Sequence, residues 1–160
     1  MVHSLLCERN IIPGLDASNH EDALRKIVHG LTDRSFPAGV KPKILDLLLL
    51  REQVGTTAIG QGIALPHCFS PLVRQPVVAF AVSPNGISYP SLDGSLVHFI
   101  FLLILPMGEA FERQKRQILQ GIKWILCDRY MQERLKAAHT GAEIRQLIVP
   151  APQQVATVGV

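Results

Sequence analysis

An unbroken apolar run late in the chain constrains the fold more than any other feature of the sequence. From Phe99 to Pro106 there is no polar or charged side chain. The run is much shorter than the ~20 residues that a membrane-crossing helix needs, so we expect no membrane insertion. It is instead typical of a buried β-strand, because an apolar run of this length has to be covered by other elements.

The size and charge of the chain favour one globular domain. Its 160 residues fit a single domain, and 48% hydrophobic residues are enough for one core. The formal net charge of +3 is mild and the basic residues are spread, which does not predict nucleic-acid binding. Three widely spaced cysteines, Cys7, Cys68 and Cys127, indicate neither a disulfide framework nor a metal site. They suit a reducing cytoplasm, as does an N-terminal sequence unlike a signal peptide.

Periodicity divides the chain into strands and helices. Strands are predicted from Val77 to Val82 and from Val97 to Leu105, with a lead-in or edge strand near Ile11, and turn signals between the two main strands favour antiparallel pairing. The chain also shows five helical segments, which start after Ser18 or Asn19, after Pro42, at about Glu109, after Asp128 and near Gly141. The second of these is almost wholly apolar and is expected to be well buried.

This mixture predicts an α/β fold with three layers, α/β/α, in which a mixed, mostly buried sheet is flanked by helices. We expect residues 1–149 to form this one domain and residues 150–160, which lack periodicity, to be a mobile tail. Trp124 lies on the long fourth helix and is expected to pack against the domain.

The segment from Arg51 to His67 contains the residue types that a histidine phosphoryl acceptor requires. Such a histidine needs one lone-pair nitrogen, a fixed tautomer, and donors around the transferred group. Here a cation (Arg51), the hydroxyl of Thr57, and a backbone freed for close approach at Gly60 and Gly62 precede His67. Taken alone, each also has an ordinary structural explanation, such as a turn or a helix end.

The same segment resembles a known family. The pair Arg51-Glu52 and the run from Thr57 to His67, TAIGQGIALPH, are similar to the signature of phosphotransferase-system enzyme IIA domains of the mannitol/fructose type. This class includes the nitrogen-regulatory IIA proteins. The sixteen-residue spacing from Arg51 to His67 also matches, and Leu65 replaces the usual second isoleucine. The order of helices and strands fits the family over residues 5–149.

The resemblance implies a cytoplasmic phosphoryl-carrier or regulatory protein of the bacterial phosphotransferase system. His67 would accept a phosphoryl group from the histidine-containing phosphocarrier protein and pass it to a IIB domain, or signal by it to a regulatory target. No cofactor is implied. The absence of a IIB or membrane IIC segment favours the regulatory kind or a separately encoded subunit. The alternatives are a binding module that no longer transfers phosphate, or a cytoplasmic domain cut from a transporter of the anion-exchanger kind.

One departure from the family bears on activity. Many members carry a second histidine near the start of the helix after the core strand, and this chain has none between His98 and His139. Aligning the apolar stripe of the helix places Lys115 at that position, whereas counting from Pro106 indicates Arg113. We favour Lys115 as a cation that replaces the second histidine. It would stabilise the phosphoryl charge and keep His67 neutral.

Two further residues lie close to the motif in sequence or in the strand pattern. Cys68 follows His67 directly, but adjacent side chains of an extended segment point to opposite faces, so shared metal ligation is not expected. Cys68 is predicted to be a small buried residue. His98 is predicted to be a satisfied core histidine, and the alternative is that it lies near the site.

Overall fold

The computed structural model describes residues 2–149 apart from positions 33, 35 and 38. For residue 3 it describes the backbone alone. The predicted mobile tail, residues 150–160, therefore lies outside the described residues. Within them, the elements are α1 (Val2–Leu5), a 3-10 turn (Glu8–Asn10), β1 (Ile11–Ile12), α2 (His20–Gly30), α3 (Lys41–Val54), β2 (Ala58–Gly60), β3 (Ile63–Ala64), β4 (His67–Phe69), β5 (Val77–Ile87), β6 (Val97–Leu105), α4 (Glu109–Leu126), α5 (Arg129–Ala137) and α6 (Gly141–Ile148).

The six strands form one mixed sheet in the order β1-β5-β6-β3-β2, and β4 also pairs with β6. The apolar strand β6 is central, with β5 antiparallel on one side. On its other side β3 and β4 both run parallel to β6, one after the other. The break between them is Leu65-Pro66, where proline cannot donate a ladder hydrogen bond.

Helices cover both faces of the sheet, which confirms the predicted three-layer α/β/α fold. Alternate residues of β6 enter different cores because strand side chains alternate between faces. Ile100, Leu102 and Ile104 pack on the side of α2 and α3, whereas Phe99, Phe101 and Leu103 pack on the side of α4, α5 and α6. The antiparallel pairing of the two long strands is confirmed as well.

Three local predictions were wrong. The segment α3 is not wholly buried: only Ile44 and Leu48 are, and Leu50 is 57% exposed, because a helix on one face of a sheet can bury only one stripe. Strand β5 continues to Ile87 through an irregular register instead of ending at the predicted turn. Trp124 does not pack into the domain, and is 83% exposed.

Candidate functional site

His67 begins β4, beside Leu103 of the central strand. Two hydrogen bonds hold the backbone just before it: Leu103 N–H donates to the Pro66 carbonyl (3.0 Å) and Leu65 N–H donates to the Thr57 carbonyl (3.0 Å). The motif thus ends in a short, anchored strand at the edge where β3 gives way to β4. This anchoring fixes the direction in which the His67 side chain leaves the sheet.

The ring of His67 has a defined tautomer. Its Nδ1 lies 2.8 Å from the Leu65 carbonyl oxygen. A carbonyl can only accept, so Nδ1 must carry the proton and Nε2 keeps its lone pair. The imidazole is partly buried, and this burial is the main reason why its pKa lies below the usual histidine range. The cations of Arg51 and Lys115 lower the pKa further, against opposing effects of the Leu65 contact and of Glu52.

Lys115 approaches the site from α4. Its Nζ lies 5.1 Å from the centre of the Phe69 ring, a cation–π contact, and 3.2 Å from Glu112 Oε2. Phe69 is two residues after His67 in β4, so the two side chains leave the sheet on the same face. The Lys115 side chain is only 21% exposed. It is therefore a partly desolvated cation on the face of the sheet to which His67 points.

Arg113, the other candidate for this position, is exposed. Residues two positions apart in an α-helix are separated by about 200° around its axis. Arg113 and Lys115 therefore project from nearly opposite sides of α4. The apolar stripe on which the choice of Lys115 rests is buried as expected, at Ile118 and Ile122, and the role of Lys115 at the site stays a prediction.

Arg51 and Glu52 lie in the last turn of α3 and shape the loop that follows it. Arg51 Nη1 donates to the Gly55 carbonyl at 2.8 Å. The Glu52 carboxylate accepts from the Thr57 N–H at 3.2 Å, from the Thr57 hydroxyl, and from the Tyr89 hydroxyl at 2.8 Å. Thr57 was predicted to offer its hydroxyl to a phosphoryl group, but that hydroxyl is engaged with Glu52 and Thr57 is 4% exposed.

The structure does not bring Gly60 and Gly62 to His67. Their φ values of +96° and +77° serve the tight turn between β2 and β3. Within that turn, the Gln61 N–H donates to Asp93 Oδ2 at 2.9 Å. Four residues separate the turn from His67 along β6, a distance of about 13 Å at strand spacing. The two glycines thus shape this turn, and their role as phosphate-binding backbone stays a prediction.

The remaining predictions near the motif have clear outcomes. Cys68 is buried on the opposite face from His67, as predicted, and burial raises the pKa of its thiol to about 12. His98 is satisfied through a 2.9 Å contact between its Nδ1 and the Ser83 carbonyl, although it is only partly buried. Over the described residues there is no cluster of metal-ligating side chains, and no helix there is long and apolar enough to cross a membrane.

Sequence reasoning gave no role to three residues of this region. Glu52 was noted only as the partner of Arg51 in the motif, although it is the acceptor that fixes Thr57. Tyr89 lies 37 residues from Glu52, and no local pattern connects them. Glu112 could have been found from its position three residues before Lys115, which is the usual spacing of a helical ion pair.

Known proteins resemble this chain over nearly its whole length. A family model described as "Phosphoenolpyruvate-dependent sugar phosphotransferase system, EIIA 2" matches residues 4–150. A nitrogen regulatory protein of Bradyrhizobium diazoefficiens is 27% identical over 151 residues, which is 94% of this chain and 96% of that protein.

Solved structures show the same fold. The nitrogen regulatory protein IIA-Ntr of Neisseria meningitidis superposes with a TM-score of 0.77 at 21% identity, over 92% of this chain and 98% of that one. The mannitol enzyme IIA of Escherichia coli, in a complex with phosphorylated enzyme IIB, superposes with a TM-score of 0.72 at 22% identity, over 89% and 96%. These structures show the fold alone, and it is the family-model match that confirms the resemblance indicated by the motif.

Proposed function

We propose, from the premise that this chain belongs to the EIIA 2 family of the phosphoenolpyruvate-dependent sugar phosphotransferase system, that it carries a phosphoryl group on Nε2 of His67. The observation that carries the proposal is the 2.8 Å contact between His67 Nδ1 and the Leu65 carbonyl. It holds the proton on Nδ1 and leaves Nε2 as the nucleophile. Members of this family are phosphotransferases that act through a phosphohistidine.

The transfer step uses the groups already described. The Nε2 lone pair of His67 forms a bond to phosphorus while the N–P bond to the histidine of the phosphorylated carrier protein breaks. The electron pair of that bond returns to the carrier's imidazole, and the Nδ1 proton of His67 stays in place. Charge in this transition state is spread over the three phosphoryl oxygens. Lys115 and Arg51 would offset it as preorganised cations.

The onward partner is proposed from the relatives. One structural relative forms a complex with a phosphorylated IIB enzyme, whereas another relative is a nitrogen regulatory protein with coverage close to the full length of both chains. We propose that this chain accepts from a histidine-containing phosphocarrier protein and either donates to a IIB domain or acts on a regulatory target by its phosphorylation state. We propose a cytoplasmic location with it, because phosphoenolpyruvate is made there.

A second candidate function has a specific observation in its favour. The family's second histidine is missing, and Thr57 and the glycine turn are engaged elsewhere. A module that has lost transfer and acts only through protein contacts would tolerate these features. The two functions differ in whether His67 becomes phosphorylated.

The deciding experiment is a reconstitution with phosphoenolpyruvate, enzyme I and the histidine carrier, followed by intact-mass measurement. We expect an acid-labile gain of one phosphoryl group, lost in His67→Ala. His98→Gln is the matched control, because His98 has the same kind of Nδ1 contact to a carbonyl and should leave labelling intact. Unlabelled wild type, under conditions that label a known IIA protein, would favour the binding module instead.

A further inference from the structure

The cation nearest the phosphoryl site on α4 is already paired. Lys115 Nζ lies 3.2 Å from Glu112 Oε2, one helical turn away, and it also lies over the Phe69 ring. The two contacts hold the ammonium between the carboxylate and the strand that carries His67. In the unphosphorylated protein the charge of Lys115 is therefore partly neutralised by Glu112.

Phosphorylation would change the balance of charge at this point. A phosphoryl group brings up to about two negative charges and three strong acceptor oxygens. The Glu112 carboxylate and the phosphoryl group then compete for the Lys115 ammonium, which can form its closest ion pair with only one of them. Glu112 is half exposed, at 47%, so it can turn to solvent when Lys115 leaves it.

A carrier must bind the phosphoryl group neither too weakly nor too tightly, because it has to give the group up again. An unopposed, partly desolvated ammonium would favour the bound phosphoryl group and make onward transfer harder. A carboxylate that competes for the same ammonium acts in the opposite direction. The chain thus pairs the cation at the position of the family's second histidine with an anion that limits its effect.

We propose that Glu112 sets the phosphoryl-transfer equilibrium of His67 by competing with the phosphoryl group for Lys115. Glu112 is a positioning residue in this scheme, because it acts through Lys115 and touches neither phosphorus nor His67. The inference rests on the proposed function, since it requires that His67 carry a phosphoryl group.

The test mixes the phosphorylated histidine carrier with this protein and measures both phosphorylated species at equilibrium by intact mass. Glu112→Gln should shift the equilibrium toward phosphorylated His67 by about two- to fivefold, the range expected for losing one exposed ion pair. Glu109→Gln is the matched control. Glu109 also lies in the first turn of α4, so its loss weakens the helix N-terminus equally without releasing Lys115.

A double-mutant cycle distinguishes an effect of Glu112 through Lys115 from a direct electrostatic effect of the Glu112 charge on the phosphoryl group. If Glu112 acts through Lys115, the shift caused by Glu112→Gln should disappear in a Lys115→Gln background. An equal shift in both backgrounds, or an equal shift from Glu109→Gln, would overturn the inference while leaving the proposed function standing. Wild type that accepts no phosphoryl group would overturn the proposed function, and this inference with it.

Discussion

Replacing Lys115 by glutamine should slow phosphorylation of His67 without unfolding the protein. The ammonium is partly desolvated, and a unit charge about 5 Å from a phosphoryl oxygen is worth about 3 kcal/mol at an effective dielectric constant of 20. Glu112 offsets part of this effect. A remaining contribution of about 1.4–2.8 kcal/mol corresponds to a rate loss of about 10- to 100-fold.

The assay is a rapid-quench time course of phosphoryl transfer from the phosphorylated histidine carrier, with intact mass as the readout. Lys115→His introduces the histidine that the resemblance predicts for this position, and it should keep the rate within about tenfold of wild type. Arg116→Gln, which removes an exposed neighbouring charge, should have little effect, because exposed charges are screened by solvent and salt. Circular dichroism spectra of all variants should superpose.

Two results would refute this reasoning. Lys115→Gln with the rate of wild type would show that the ammonium contributes nothing to the transition state. A slow Arg113→Gln beside an unaffected Lys115→Gln would show that the cation comes from the other side of α4, contrary to the helical register. Either result would also remove the basis for a role of Glu112.

Two further predictions concern proton binding and the glycine turn. Because burial and nearby cations lower the pKa of His67, it should stay neutral to lower pH than a free histidine, so phosphoryl acceptance should hold on mild acidification. The unfolded chain binds this proton more readily, so the free energy of unfolding should fall as the pH drops below about 6.5, and less so in His67→Gln. NMR titration and denaturant unfolding measure both, and a raised pKa would contradict them. Gly60→Ala should cost about 1–2 kcal/mol in denaturant unfolding, because φ is +96° and the new Cβ would lie 2.9 Å from Asp93 Oδ2. Gly55→Ala, in open space and with extended φ, is the control, and equal losses in both variants would contradict the argument.

The fold was largely predictable because its signals are local. An apolar run such as Phe99 to Leu105 can only be a buried element, and helical periodicity in α4 and α2 indicates which faces meet the sheet. The predictions of burial failed where the burial of a helical residue depends on which element packs against that side of the helix. Leu50 and Trp124 are apolar residues on helices, and only the position of each helix on the sheet decides that both remain exposed.

In the candidate site, too, some features follow from the local sequence and others from tertiary packing. The sequence by itself determined the segment from Arg51 to His67, because its glycines, its proline and its histidine constrain one continuous stretch of backbone. The tautomer of His67 also follows from a contact only two residues away. Such features depend on contacts between residues that are close in the sequence, so a sequence motif can predict them.

Only the tertiary structure decided which side chains surround the histidine and which do not. Tyr89 reaches Glu52 across 37 residues and engages the hydroxyl of Thr57 there. Helical register had already indicated Lys115, but only the packing of α4 on the sheet brings its ammonium over the Phe69 ring. Contacts of this kind are set by the docking of whole elements, whose free energy comes from many buried side chains together, so no short motif could have specified them.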